Sequence, residues 1–205
     1  MTQISYFELL GNMPPMALQE FFRNLRHVHN VSDQDLMFGL RDIAETTIFE
    51  NILELKSDEM LNLMSSFDLD VNVFLSDGYT PLGYVTELNW VHGIDFLLGS
   101  LGATMDLIDR IRQAEPVWYC LANGSLDAYK MYVHHGYKLS FVRYDGDIIN
   151  PLVQVASFQY YELFKYLLAE MTNTHNSELR EDYNQKAATG IDTVADGLFR
   201  AIYPS

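Results

Sequence analysis

Histidines and a lone cysteine are the residues of this sequence best suited by type to metal binding or nucleophilic chemistry. His27 and His29 lie two positions apart, which on a helix turns them to different faces, whereas His134 and His135 are adjacent. A zinc site needs converging ligands, and Cys120 is the single cysteine of the chain. We therefore expect no metal site. The histidines are expected at helix ends, where the dipole favours a cation, and Cys120 is expected in the core.

Acidic side chains are plentiful, but their spacing does not single out a pair for acid–base catalysis. Glu87, Asp95, Asp106 and Asp109 are scattered in the manner of a solvated surface. The sequence also lacks the glycine-rich phosphate loop, the G-x-S-x-G nucleophile turn and the H-E-x-x-H metalloprotease motif. We accordingly expect no catalytic residue and no cofactor. One alternative stays open, which is an enzyme whose active site lies in the terminal segments.

The charge balance restricts the partners that this protein can bind. The chain has 205 residues, 48% of them hydrophobic, and a net charge of -15, which suits one domain with a sizeable core. Such acidity disfavours direct contact with nucleic acid, and no apolar run is long enough to span a membrane. The acidity has two interpretations, solubility or a basic partner. With one cysteine and no signal-like N-terminus, a cytoplasmic location is expected; the oligomeric state stays open, with a monomer favoured.

The elements that carry these residues recur along the chain with a constant period. Proline stands at positions 81, 116 and 151, which are 35 residues apart, and each proline begins a similar segment. Proline suits the first turn of a helix, and Thr80 and Asn150 can cap the helices that follow. A second apolar helix then ends at Gly102 in the first copy and at Gly136 in the second, with Met171 in that place in the third. Each unit therefore reads as a helix pair that needs neighbours to bury its apolar face.

These segments resemble the ankyrin repeat, whose phrase is roughly G-x-T-P-L-H-x-A-A-x-x-G, followed by I-V-x-x-L-L-x-x-G-A. The resemblance implies an all-α solenoid of stacked helix pairs joined by short fingers. It departs from the family at the usual histidine, and the period exceeds the usual repeat of roughly 33 residues. The residues that match or nearly match are Gly78, Thr80, Pro81, Leu82, Leu97, Leu98, Gly102 and Ala103 in the first copy, Pro116, Ala122 (one place late for the second alanine), Asn123, Gly124, Leu126 and Gly136 in the second, and Pro151, Leu152, Ala156, Leu167 and Leu168 in the third.

The resemblance also predicts how a single array, residues 1–205, is divided. Ser32 and Asp33 are expected to cap a second helix of the N-terminal cap, DLMFGLRDIAETTIF, and Ile48 takes the proline position of a degenerate first repeat. The polar segment MTNTHNSELRED is a loop or a helix start, and Ile191, Val194, Leu198 and Ile202 have the spacing of a C-terminal capping helix. The predicted boundaries are 1–46 for the N-terminal cap, 47–79, 80–114, 115–149 and 150–172 for the repeats, and 173–205 for the C-terminal cap.

A partner surface follows from the resemblance alone, because ankyrin repeats bind proteins through finger tips and the exposed side of the inner helices. The third finger, SFVRYDGDIIN, is the longest. Trp90 and Trp118 are either further contact residues or core residues between repeats. Carried over by register, the predicted partner-binding residues are Asp77, Tyr79, Glu87, Leu88, Arg112, Asn123, Tyr144, Asp145, Asp147 and Phe158.

Two functions fit this reading of a non-catalytic protein-binding module. The first is an acidic inhibitor or immunity-type protein that blocks a basic protein such as a nuclease or toxin. The alternative is an ankyrin-type adaptor or delivered effector that tethers a cellular protein without inhibiting it. The sequence further predicts that replacing Asp145 and Asp147 by lysine leaves the fold intact and weakens a basic partner.

Overall fold

The computed structural model describes residues 6–41 and 45–188, where helices are stacked in pairs. A π-helical turn covers Asp35–Gly39, and a two-stranded antiparallel hairpin is formed by β1 (Val142–Tyr144) and β2 (Asp147–Ile149). The α-helices are α1 (Tyr6–Asn12), α2 (Pro15–His29), α3 (Ile48–Leu55), α4 (Asp58–Met64), α5 (Pro81–Glu87), α6 (Val91–Gly99), α7 (Pro116–Asn123), α8 (Leu126–His134), α9 (Pro151–Ser157), α10 (Tyr161–Asn173) and α11 (Ser177–Ala188).

The helix starts follow from local chemistry. Helices α5, α7 and α9 each begin at the proline of the repeat. The Thr80 hydroxyl accepts a hydrogen bond from the Gly83 N–H at 3.0 Å, and the Asn150 side-chain oxygen accepts one from the Leu152 N–H at 3.0 Å. Both predicted caps are therefore confirmed, and each satisfies a backbone donor that the first helical turn leaves free.

The helices form two layers along the array. Helices α3, α5, α7 and α9 contact one another in sequence as an inner layer, and α4, α6, α8 and α10 do so as an outer layer. Val85, Leu97 and Tyr132 are among the buried side chains of the two layers, and burying an apolar side chain contributes about 1.5–3 kcal/mol. The prediction of an all-α helix-pair solenoid is confirmed, with one β-hairpin added in the third finger.

Glycines close several of the helix connections. Gly102 and Gly136, which follow α6 and α8, have φ values of +69° and +94°, as the sequence predicts. Gly124 caps α7 with φ +66°, and a Cβ atom there would lie 2.5 Å from the ring of Tyr160. Tyr160 in turn donates a hydrogen bond to the carbonyl of Ala122 at 2.9 Å. Gly124 is therefore required both for its backbone angle and for the approach of the next repeat.

Replacing Gly102 by alanine should lower the free energy of unfolding by about 1 kcal/mol. No atom lies within 4 Å of the added Cβ position, so the left-handed backbone is the whole cause. The matched control is Gly11→Ala, because Gly11 lies inside α1 and its added Cβ would meet Leu55 at an ordinary 3.5 Å. Urea unfolding measures both, and an unchanged Gly102→Ala variant would contradict the register of the repeats.

The ends of the array differ from the sequence predictions. The prediction of one continuous second capping helix is wrong: among the described residues of this segment, a π-helical turn covers Asp35–Gly39, and Arg41 forms an isolated β-bridge with Thr47. The predicted cap at Ser32 is present, because its hydroxyl accepts a hydrogen bond from the Asp35 N–H at 3.0 Å. Thr47 and Glu50 form a reciprocal cap that starts α3 at Ile48, the residue predicted at the proline position. Helix α10 continues past Met171 to Asn173, and the polar segment after it forms α11 from Ser177. Ile191, Val194, Leu198 and Ile202 lie outside the described residues, and the domain boundaries remain proposals.

Candidate functional site

The loops that lead into α5, α7 and α9 are called fingers 1, 2 and 3 here and cover residues 70–80, 104–115 and 138–150. Side chains from these fingers and from the inner helices contact one another across three repeats. We call the surface that they share the finger face. It is made by Glu54, Asp77, Tyr84, Glu87, Arg112, Asn123, Tyr144, Asp145 and Asp147.

A row of aromatic side chains lies beneath and within the finger face. Tyr84 contacts Tyr79, Tyr79 contacts Tyr119, and Tyr119 contacts Trp118, with ring centroids 5.7, 5.5 and 5.2 Å apart. Trp118 then stacks on Tyr144 of finger 3 at 4.0 Å with an angle of 2° between the ring planes. Tyr84 and Tyr144 are half-buried, whereas the other three are buried. The row therefore presents aromatic surface at both ends on a rigid base.

Arg112 lies over the middle of this row. Its guanidinium is 5.7 Å from the Trp118 ring and 5.8 Å from the Tyr119 ring, and it pairs with Glu87 at 3.6 Å. The Asn123 side chain donates a hydrogen bond to the carbonyl of Glu87 at 3.1 Å. Contacts between α5, finger 2 and α7 thus bring together three of the residues predicted from the sequence. We call Glu87, Arg112 and Asn123 the Arg112 cluster.

Asp109 departs from its expected place on a solvated surface, because its side chain is only 2% exposed. Its carboxylate accepts one hydrogen bond from the Tyr119 hydroxyl and one from the backbone N–H of Arg112, both at 2.7 Å. Burial, followed by the bond to Asp109, raises the pKa of Tyr119 well above its ordinary value. Asp109 therefore fixes the finger that carries Arg112, and its role is structural.

Negative charge surrounds the exposed end of the aromatic row. Burial, together with the charges of Glu54 and Asp77, raises the pKa of Tyr84 to about 12. Burial also raises the pKa of Asp77, with a smaller contribution from the charge of Glu50. For Glu50, burial opposes ionisation, but hydrogen bonds donated by Ser76 and Thr47 outweigh it and lower the pKa. A cationic group of a partner would therefore find carboxylates beside a half-exposed tyrosine.

Two of the predicted contact residues offer little side-chain surface. Tyr79 is 8% exposed because Tyr84 and Tyr119 cover it, so its side chain offers little surface for the predicted contact. Leu88 is half-buried against the core, and its carbonyl accepts a hydrogen bond from Lys56 at 2.8 Å. Trp90 and Trp118 are also buried, at 9% and 4% exposed, in agreement with the core alternative.

The remaining predicted residues lie at the third repeat. Asp145 and Asp147 are exposed on the hairpin, where Asp145 has φ +52° and Gly146 has φ +81° in a type I′ turn. The expectation that lysine at position 145 leaves the fold intact is therefore revised, since aspartate suits this backbone better than lysine does. Phe158 is 47% exposed at the end of α9 and contacts Tyr160 at 5.8 Å, apart from the Arg112 cluster.

Cys120 and His135, two of the residues first considered for chemistry, have structural roles. Cys120 is fully buried, and burial raises the pKa of its thiol far above the usual range. His135 lies 2.7 Å from Asp95 at the end of α8, near the C-terminal dipole. Among residues 6–41 and 45–188, no group of three or more histidine, cysteine or acidic side chains is placed to hold a metal ion. Over the same ranges, no helix has the length and apolar character needed to cross a bilayer.

Comparison with known proteins identifies the fold. No protein-family model matches the sequence, and no curated protein sequence matches it. Among solved structures, the chain is similar to the ankyrin repeat domain of Bcl-3, a member of the IkappaB protein family, with a TM-score of 0.58 and 20% sequence identity. The alignment covers 76% of this chain and 64% of the Bcl-3 chain, which is less than two thirds of the latter.

Proposed function

We propose that this chain, whose fold is that of an ankyrin-repeat array, is a non-catalytic module that binds another protein through the finger face. The observation that carries the proposal is the arrangement of that surface. Half-exposed Tyr84 and Tyr144 lie at the ends of a buried aromatic row. The charges of Glu54 and Asp77 act on Tyr84, and Asp147 pairs with Tyr144 across the hairpin. Aromatic anchors on a rigid base, with charge around them, are the usual composition of a protein-binding hot spot.

The partner that suits this surface is a basic protein. Arg112 is paired with Glu87, Arg110 lies over the ring of Phe74, and the charge of Arg143 acts on Glu115. The carboxylates of Glu54 and Asp77 around Tyr84, and those of Asp145 and Asp147 on finger 3, are left to meet an approaching protein. The net charge of -15 adds a long-range attraction to the same kind of partner. We infer that binding covers a basic functional surface of the partner and thereby inhibits it, as an immunity-type protein inhibits a nuclease or toxin. We place this interaction in the cytoplasm.

A lysate capture experiment tests the proposal. The protein is immobilised and exposed to a lysate of its source cells at about 50 mM and about 500 mM salt, which changes the Debye length from roughly 14 to 4 Å. We expect one basic protein to be retained at low salt and released at high salt, with its activity suppressed while bound. A neutral partner that resists high salt and stays active would instead indicate the adaptor function.

A further inference from the structure

The three fingers are joined edge to edge by backbone hydrogen bonds. Fingers 1 and 2 are linked by the Arg110 N–H, which donates to the Gly78 carbonyl at 2.8 Å. Fingers 2 and 3 are linked by the Asp145 N–H to the Arg112 carbonyl at 3.0 Å and by the Glu115 N–H to the Arg143 carbonyl at 3.1 Å. Finger 3 then adds β2 beyond β1. Within the described residues, β2 is the last strand along the joined fingers, since α10 is followed directly by α11 and no fourth finger is formed.

Among the described residues, nothing pairs with the centre of the outer edge of β2. Tyr144 pairs with Asp147 next to the two-residue turn, so Arg143 and Ile148 form the next pair, whose backbone groups point away from each other. The Arg143 carbonyl is used by finger 2 on one side. Over residues 6–41 and 45–188, the Ile148 N–H and carbonyl on the other side make no hydrogen bond, and the Ile148 side chain is 65% exposed.

Charge restricts what can pair with this edge. Asp145 and Asp147 are exposed beside Ile148, and the charge of Arg143 acts on Glu115 of finger 2. At the other end of β2, Asn150 donates hydrogen bonds to the Leu179 carbonyl and to Asp182, which also pairs with Lys186. A second copy would bring its own Asp145 and Asp147 to the shared edge, and like charge of this kind commonly protects an edge strand from pairing with itself. A basic strand meets no such repulsion.

We propose that the outer edge of β2 binds an extended basic segment of a partner protein by strand addition. The segment pairs with the backbone of Ile148, places an apolar side chain against Ile148 and directs cations to Asp145 and Asp147. Main-chain hydrogen bonds supply the attachment, and the aspartates supply the selectivity. The contact shares Asp145 and Asp147 with the finger face, whereas the backbone and side chain of Ile148 belong to the edge alone, so substitutions at position 148 test it separately.

The test uses an eight-residue peptide of alternating lysine and valine, blocked at both ends, added to isotope-labelled protein of residues 1–205. We expect saturable changes in the NMR amide signals of Asp147, Ile148 and Ile149 and at least about 10-fold slower hydrogen exchange at Ile148. The same peptide with N-methylated backbone amides keeps its charge but loses its donors, and it should bind about 10-fold more weakly. Equal binding of both peptides, or signal changes confined to other residues, would overturn the proposal.

Substitutions at position 148 give a second, independent readout. Ile148→Pro removes the free N–H, and proline is tolerated where an edge N–H faces solvent. It should weaken the lysine–valine peptide about 10-fold, whereas Ile148→Val should bind it normally. Concentration-dependent dimerisation that Ile148→Pro abolishes would show that a second copy occupies the edge and would also overturn the proposal. A failure here leaves the salt-dependent capture by the finger face unaffected, so the two proposals fail separately.

Discussion

Replacement of Asp109 by alanine should lower the free energy of unfolding by about 2–4 kcal/mol. The carboxylate is buried and accepts hydrogen bonds from the Tyr119 hydroxyl and the Arg112 N–H, both at 2.7 Å. Removing it leaves two buried or partly buried donors without an acceptor, and each unsatisfied donor costs about 1–3 kcal/mol. Urea unfolding followed by circular dichroism gives the difference directly.

Controls separate this buried carboxylate from an ordinary surface charge. Asp106→Ala removes an exposed aspartate of the same finger and should change the stability by less than about 0.5 kcal/mol. Tyr119→Phe removes only the hydroxyl, and a double-mutant cycle with Asp109→Ala should show coupling of at least about 1 kcal/mol. If Asp109→Ala were as mild as Asp106→Ala, finger 2 would not be held in the way described.

Neutralising the carboxylates of the finger face should slow the binding of a basic partner by about 10-fold at low salt. The variant carries Asp77→Asn, Glu87→Gln and Asp147→Asn, which keep size and hydrogen-bonding capacity. Asparagine at position 77 can still accept the Tyr79 N–H, which Asp77 accepts at 3.0 Å. The association rate constant, measured by stopped flow over a range of salt concentrations, should also depend less steeply on salt than that of the unchanged protein.

The matched control places the same three changes on the outer helices. Glu59→Gln, Asp127→Asn and Glu162→Gln lie in the first turns of α4, α8 and α10 and are exposed. This variant has the same net charge as the finger-face variant. It should associate within about threefold of the unchanged protein, because attraction depends on where the charge lies. Equal slowing by both variants would mean that net charge alone matters and that the finger face is not the contact.

The repeated helix starts could be predicted because their causes are local. A proline after Thr80 or Asn150 fixes the first turn of a helix, and the glycines after the outer helices report a left-handed backbone. Two further local signals were present and were missed. Thr47 and Glu50 have the spacing of a capping box, which predicts that a new helix starts at Ile48. Asp145-Gly146 between two short strands predicts the hairpin of finger 3.

The parts of the site that escaped prediction depend on distant contacts. Asp109 resembles any other acidic residue until Tyr119, ten positions away, approaches its carboxylate. Tyr79 has the register of a contact residue, but Tyr84 and Tyr119 cover it. The sequence does not predict Tyr84 as a contact residue. Its acidic neighbours are distant in the chain, since Glu54 lies on α3 and Asp77 on finger 1. Register alone therefore predicts a finger face but does not determine which of its residues are exposed.

Titration of the captured partner's own activity tests the central claim most directly. With the partner fixed and this protein added in increasing amounts, the account predicts that activity falls linearly to zero at one equivalent. The Asp77→Asn, Glu87→Gln, Asp147→Asn variant should require an excess, whereas the Glu59→Gln, Asp127→Asn, Glu162→Gln variant should match the unchanged protein. Full activity at saturating binding would contradict inhibition through the finger face and would establish a tethering role instead.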